Sequence, residues 1–141
     1  MSATHLHPYL MFNGTTRQAL EHYQRVLGGK LTLQTFGETQ GAGMSAPPPE
    51  LADKIIHGSL DAGDGLVIMA SDGQPGDETK VGDNVHLCLV GSDLPKLTRE
   101  FEGLSEGGTV KLPLAQQFWG DTYGQFTDRF GIHWMVNVSK A

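Results

Sequence analysis

A single cysteine, Cys88, occurs among the 141 residues, which excludes an internal disulfide framework and agrees with a reducing compartment. No apolar run approaches the roughly 20 residues of a membrane-spanning helix. The opening Met1-Ser2-Ala3-Thr4-His5 also lacks the charged-then-apolar pattern of a secretory leader. The expected setting is therefore the cytoplasm, without a membrane partner. Basic residues are few: 10 Lys and Arg against 16 Asp and Glu give a formal charge of −6, and the basic ones are scattered. Such a chain repels phosphate backbones, so nucleic acid is not an expected partner. A Cys-x-x-Cys pair, a phosphate-cradling glycine loop and a nucleophile with an adjacent base are all missing. No strand leads through a glycine-rich turn into a helix of the nucleotide-binding type, which leaves no methyl-donor site.

What is present is one pattern that occurs twice. His7 opens the run Tyr9-Leu10-Met11-Phe12, and the doublet Gly28-Gly29 begins 21 residues after it; His86 opens Leu87-Cys88-Leu89-Val90, and Gly107-Gly108 follows at the same spacing. Between histidine and doublet each copy reads as a strand, a turn and an amphipathic helix. Thr15 and Thr16 are placed to cap a helix carrying Ala19, Leu20, Tyr23, Val26 and Leu27 on one stripe. Ser92 or Asp93 is placed to cap one carrying Leu94, Leu97, Phe101 and Leu104, with Pro95 in its first turn. Each doublet suits the left-handed residue that ends a helix, and strands at Lys30 to Phe36 and Thr109 to Leu114 follow. Ile55 to Leu60 supplies a further strand. Gly65-Leu66-Val67-Ile68-Met69-Ala70 and Gly131-Ile132-His133-Trp134-Met135-Val136 then align as terminal strands, making Met69 and Met135 a second equivalent pair.

The expected class is α+β: two tandem βαβββ modules, about residues 4–72 and 83–141, joined by an acidic, glycine-containing linker at about 71–83. At 38% hydrophobic content, the two half-modules together supply one good core, and 1–141 is expected to be a single domain. The segment Gly37 to Asp53, with Gly41-Ala42-Gly43-Met44 and Pro47-Pro48-Pro49, breaks the regular layout. It reads either as a lid over a pocket or as a surface excursion.

Several stretches together resemble the PhnB-like branch of the vicinal oxygen chelate superfamily, which also includes glyoxalase I, bleomycin-resistance proteins and extradiol dioxygenases. They are Pro8-Tyr9-Leu10-Met11-Phe12-Asn13-Gly14, Leu27-Gly28-Gly29, Val67-Ile68-Met69-Ala70-Ser71-Asp72, Gly107-Gly108, Phe118-Trp119-Gly120 and Asp128-Arg129-Phe130-Gly131-Ile132-His133-Trp134-Met135-Val136-Asn137. The resemblance implies a cupped mixed sheet around a central pocket. In enzymatic members it also implies a divalent metal held by one residue from the first and one from the last strand of each module, typically histidine and glutamate. Carried over by position, these places are His7, Met69, His86 and Met135: both histidines match, and methionine stands at both carboxylate positions.

A thioether is neutral, soft and weak toward hard divalent ions, and without the carboxylates a glyoxalase-type proton abstraction has no base. Glyoxalase I activity is not expected. Two histidines and two methionines would suit Cu(I) instead, with Cys88 a further donor because strand alternation puts it on the His86 face. Equally, the methionines fill core gaps, Cys88 is a small buried hydrophobe and the histidines bond their neighbours.

Among the other histidines, His5 lies near the chain start, His22 beside Tyr23 is expected to face solvent, and His57 and His133 are candidate lining residues. Gln116 through Gln125, with Phe118, Trp119 and Tyr123, interleaves aromatic rings with amides and hydroxyls as a small-molecule pocket requires; alternatively Phe118 and Trp119 anchor the core or a dimer interface. Tyr9 completes the candidate lining. Two functions follow: a binder of a small organic molecule with an altered or absent metal site, or a metal-dependent lyase, isomerase or dioxygenase-type enzyme acting on vicinal oxygens. Resemblance further implies a homodimer, formed with or without exchange of modules across the linker.

Overall fold

The computed structural model describes residues 4–39, 52–73 and 78–140, and the chain divides into two compact units between Lys80 and Val81. In the first unit, β1 (Tyr9–Met11) leads into α1 (Thr16–Leu27), β2 (Lys30–Thr35), β3 (Ile55–Asp61) and β4 (Val67–Ser71). In the second, β5 (Leu87–Gly91) leads into α2 (Leu94–Ser105), β6 (Thr109–Gln116), β7 (Thr122–Thr127) and β8 (His133–Val138). The sheets run β1-β4-β3-β2 and β5-β8-β7-β6, each with one parallel pair between its first and last strand and antiparallel pairs elsewhere. Each unit is thus a βαβββ module, and the α+β class expected from the repeat is the observed one.

Register makes the repeat residue-specific. Met69 lies opposite Tyr9 and Ser59; Met135 lies opposite Cys88 and Gln125. Counting outward from the methionines makes His57 equivalent to Tyr123 and Gly58 equivalent to Gly124. Both glycines are buried beneath a helix. A Cβ at Gly58 would meet Leu20 of α1, and one at Gly124 would meet Phe101 of α2 and the backbone of β6. The doublets serve the same end. Gly29 and Gly108 pass so close to the backbone at Asp61 and Thr127, respectively, that no side chain fits there, and Asp61 and Thr127 are themselves equivalent. Gly28 (φ 77°), Gly29 (φ 98°) and Gly107 (φ 80°) also adopt left-handed conformations.

Each helix packs its apolar stripe on one sheet face. In the second module Phe101 meets Phe126 edge-on at 5.0 Å and Phe126 stacks on Trp134 at 6.2 Å. In the first, α1 buries Ala19, Leu20 and Tyr23, but also His22, which is only 3% exposed. The expected solvent-facing His22 is corrected by helical arithmetic: it stands three residues after Ala19 and four before Val26, on the edge of the buried stripe. Glu100 is likewise buried on α2. Burial pushes its carboxyl above the usual range, with Asp93 raising it further and Lys96 and Arg99 opposing.

Helix starts differ between the copies. Asp93 caps α2 by accepting from Lys96 N–H at 3.1 Å, with Pro95 in the first turn as expected. Thr15 makes no side-chain cap for α1. Asp72, just after β4, accepts from Thr16 N–H (3.0 Å), Gly14 N–H (3.1 Å) and Ile55 N–H (2.8 Å), so the cap comes from across the module. Asp128 has a similar role before β8: it is buried and accepts from Phe130 N–H, Ile132 N–H and Trp134 Nε1–H at 2.8–3.0 Å.

The described ends of the linker are each tied to their own module. Asn13 exchanges two hydrogen bonds with the Thr79 backbone, at 2.9 and 3.0 Å, while the carbonyls of Gly82 and Asp83 are held by His133 and His86. A 3₁₀ turn, Gly37–Thr39, follows β2; the suggested lid at Gly37 to Asp53 otherwise falls mostly outside the described residues. Among the described residues no helix is long and apolar enough to cross a membrane.

Candidate functional site

Because α1 and α2 cover one face of each sheet, alternation sends the remaining side chains to the other. In the first module a row runs Tyr9, Met69, Ser59, Thr32 across all four strands. Tyr9 Oη lies 3.0 Å from His57 Nδ1 in a hydrogen bond, their rings 5.7 Å apart, so two expected lining residues meet on this face. His7 precedes β1 by two residues instead of opening it, and its ring stacks on His5 at 5.9 Å.

The corresponding row in the second module is Cys88, Met135, Gln125, Leu112. Gln125 Nε2–H donates to Tyr123 Oη at 2.7 Å. His86 and His133 stack with centroids 5.1 Å apart. A backbone carbonyl can only accept, so His133 donates Nε2–H to Gly82 O (3.1 Å), while its Nδ1 shares a hydrogen bond with the Thr127 hydroxyl (2.9 Å). His86 donates Nε2–H to Asp83 O (3.2 Å), and its Nδ1 is buried with no hydrogen-bond partner. Cys88 is exposed, not the buried hydrophobe of one reading, and partial desolvation pushes its thiol above the ordinary value.

Phe118 and Trp119 form the tip of the β6–β7 hairpin. Phe118 is 97% exposed and Trp119 50%, which removes them from the core. Trp119 meets Phe118 edge-on at 5.0 Å and Tyr123 at 5.9 Å, connecting the tip to the sheet face. Sequence reasoning missed Ser59 and Thr127, and named Gln125 only as the end of the segment Gln116 through Gln125; Ser59 shares strand parity with His57, and Gln125 and Thr127 share it with Tyr123, so parity was the available signal.

The donors do not fit a hard divalent ion. Each module offers one imidazole at its first strand and a methionine thioether at its last, and the free lone pair at His86 Nδ1 has no carboxylate opposite in register. Among the described residues no three His, Cys, Asp or Glu side chains are grouped to hold a metal ion.

Two βαβββ modules with matching histidine and methionine positions define a protein of vicinal oxygen chelate architecture. The model of the Glyoxalase/Bleomycin resistance protein/Dioxygenase superfamily matches residues 5–136, and the chain belongs to that superfamily. Protein YjdN of Escherichia coli K12 is 32% identical over 144 residues, covering 96% of this chain and 95% of that protein. Among solved structures, protein PA1353 from Pseudomonas aeruginosa is 36% identical, with a TM-score of 0.85 over 99% of this chain and 100% of that one. A PhnB protein from Bacillus cereus shares the fold at 17% identity, with a TM-score of 0.73 over 96% and 100% of the two chains.

Proposed function

We propose that this protein binds a small organic molecule on the sheet faces opposite its helices and does so without the divalent metal site of its enzymatic relatives. The observation that carries the reading is the replacement of both family carboxylates by thioethers, Met69 and Met135, each in register with the first strand of its module. What surrounds the methionines suits recognition rather than proton abstraction. Tyr9 and His57 on one face, and Tyr123, Gln125 and Trp119 on the other, combine apolar rings with a few oriented polar atoms. No carboxylate stands in either methionine row to take a carbon-bound proton. The cytoplasm is the proposed location and 1–141 the proposed single domain.

The test is a ligand screen by NMR on the full chain, in metal-free buffer, using small aromatic and heteroaromatic compounds. Ligands are expected to perturb the methyl signals of Met69 or Met135 and to bind at least about tenfold more weakly to Tyr9→Ala or Tyr123→Ala, the loss of one ring contact. Binding that appears only after a divalent metal is added would refute the reading.

A further inference from the structure

Resting on the binding reading above, we infer that the ligand face of the second module selects an uncharged, flat ring that carries an N–H or O–H donor, and discriminates against ionised molecules of the same shape. By strand alternation β7 and β8 present Tyr123, Gln125, Thr127, His133, Met135 and Asn137 on this face. In register beside them, β5 and β6 add Cys88, Leu112 and Ala115. Hydroxyl, amide, imidazole, sulfur and aliphatic groups therefore meet the ligand, and no carboxylate, ammonium or guanidinium stands at any of these positions.

Charges stop at the border of the face. Asp121 lies in the hairpin, where its carboxylate accepts from Asn137 Nδ2–H at 3.1 Å. Lys111 falls at the β6 irregularity and is paired with no residue of β7. An ionised group moved from water onto such a face gives up hydration that no counter-charge replaces, whereas a neutral one gives up far less. The first module follows the same pattern. Tyr9, Ser59 and Thr32 share the row of Met69, and its charges are Lys30 and Asp61, opposite in sign and facing each other where β2 begins and β3 ends.

The amides on the face are already oriented. Gln125 donates Nε2–H to Tyr123 Oη at 2.7 Å, as Asn137 donates Nδ2–H to Asp121. Among the described residues neither amide oxygen has a hydrogen-bond partner, so both remain to accept from a ligand, and Tyr123 keeps its own hydroxyl proton to donate. A ring without a donor would cover Gln125 Oε1 and leave it unmatched, losing the hydration of that oxygen for nothing. Shape is set by the neighbours. Met135 lies opposite Gln125, and Trp119 meets Tyr123 edge-on at 5.9 Å; a polarizable thioether beside aromatic rings favours a flat ring over a bulky aliphatic group.

The test is an NMR titration of the full chain, in metal-free buffer near pH 7, with three probes that share one ring: neutral indole-3-acetamide, anionic indole-3-acetate and cationic tryptamine. The parent is expected to bind the amide at least about tenfold more tightly than either ion. Gln125→Lys is expected to turn the order toward indole-3-acetate and Gln125→Glu toward tryptamine, a reversal that a merely structural role of Gln125 would not produce. Far-UV circular dichroism checks that each variant folds, and the parent's order stands as a test without them. An ion bound by the parent as tightly as the amide would overturn the inference while leaving metal-free binding intact. Folded charge variants that weaken all three probes alike would overturn it too, because Gln125 would then not face the ligand. Absence of binding by every probe up to about 1 mM would count against the binding reading itself and take the inference with it.

Discussion

Gly58 and Gly124 should respond unequally to the same substitution, alanine, although they occupy equivalent places. Neither has a left-handed backbone, so an added Cβ meets no conformational penalty of its own, and the glycine-to-alanine change lowers unfolded-state entropy by about 0.4–1 kcal/mol in favour of the native state. The opposing cost is steric. At Gly58 the new Cβ meets two side-chain methyls, Leu20 Cδ1 at 2.5 Å and Leu33 Cδ2 at 3.0 Å; at Gly124 it meets Phe101 Cε2 at 2.7 Å together with Leu114 Cα at 2.9 Å and Leu112 O at 3.0 Å. Methyls shift by a small rotation. The β6 backbone cannot move without disturbing its ladder to β7. Overpacking of this kind costs about 1–3 kcal/mol, the lower half applying to Gly58 and the upper end to Gly124. Net destabilisation is then about 1 kcal/mol or less for Gly58→Ala and about 2 kcal/mol for Gly124→Ala. Urea unfolding followed by far-UV circular dichroism reads both. A Gly124→Ala protein as stable as the parent, or more stable, would refute the close approach of α2 and β6 to β7.

Asp72→Ala strands the backbone donors of Gly14, Thr16 and Ile55 and should cost about 3 kcal/mol, whereas Thr15→Ala should stay within about 0.5 kcal/mol; denaturant midpoints compare them. Asp128→Asn keeps an acceptor for Phe130 and Ile132 but turns a donor toward Trp134 Nε1 or loses that bond, costing about 1–3 kcal/mol with a shift in Trp134 emission on the folded protein. Glu100 has a carboxyl raised above its ordinary 4.5, first by burial. The native state therefore holds this proton more tightly than the unfolded chain, and the carboxyl lowers stability as pH rises from its ordinary value through its raised one. Glu100→Gln should be more stable than the parent at pH 7, with the difference vanishing below the ordinary glutamate value; melts across pH 3.5–7 check the sign.

The repeat was legible because its markers have strict geometric requirements. Gly29 and Gly108 admit no side chain against the backbone at Asp61 and Thr127, and this leaves a doublet at fixed spacing from each histidine. Met69 and Met135 were placed correctly because both stand at the same step of a terminal strand, even though the loops before them differ in length. Gly58 and Gly124 are as tightly constrained, but isolated glycines within strands carry no spacing signal. Asp72 and Asp128 were illegible for a different reason. Each serves backbone groups distant along the chain or brought close only by the turn it stabilises, and a carboxylate in a polar stretch looks like any solvated one. His22 shows the limit of residue type as a guide, since its placement follows from helical phase. In the candidate site, Tyr9 and His57, and likewise Tyr123 and Gln125, are joined by hydrogen bonds that the sequence pattern did not specify. Which rotamer turns the lone pair of His86 Nδ1 inward was not written in the pattern.

Elemental analysis of untagged protein purified without chelators tests the central claim most directly, run beside a variant with His7 and His86 both replaced by alanine. The donor chemistry of paired histidines and methionines predicts folded parent protein with far less than one equivalent of any divalent transition metal and no difference between the two samples. About one equivalent of zinc, nickel or manganese in the parent, lost in the double variant, would contradict the account and make this a metal-centred member of its superfamily.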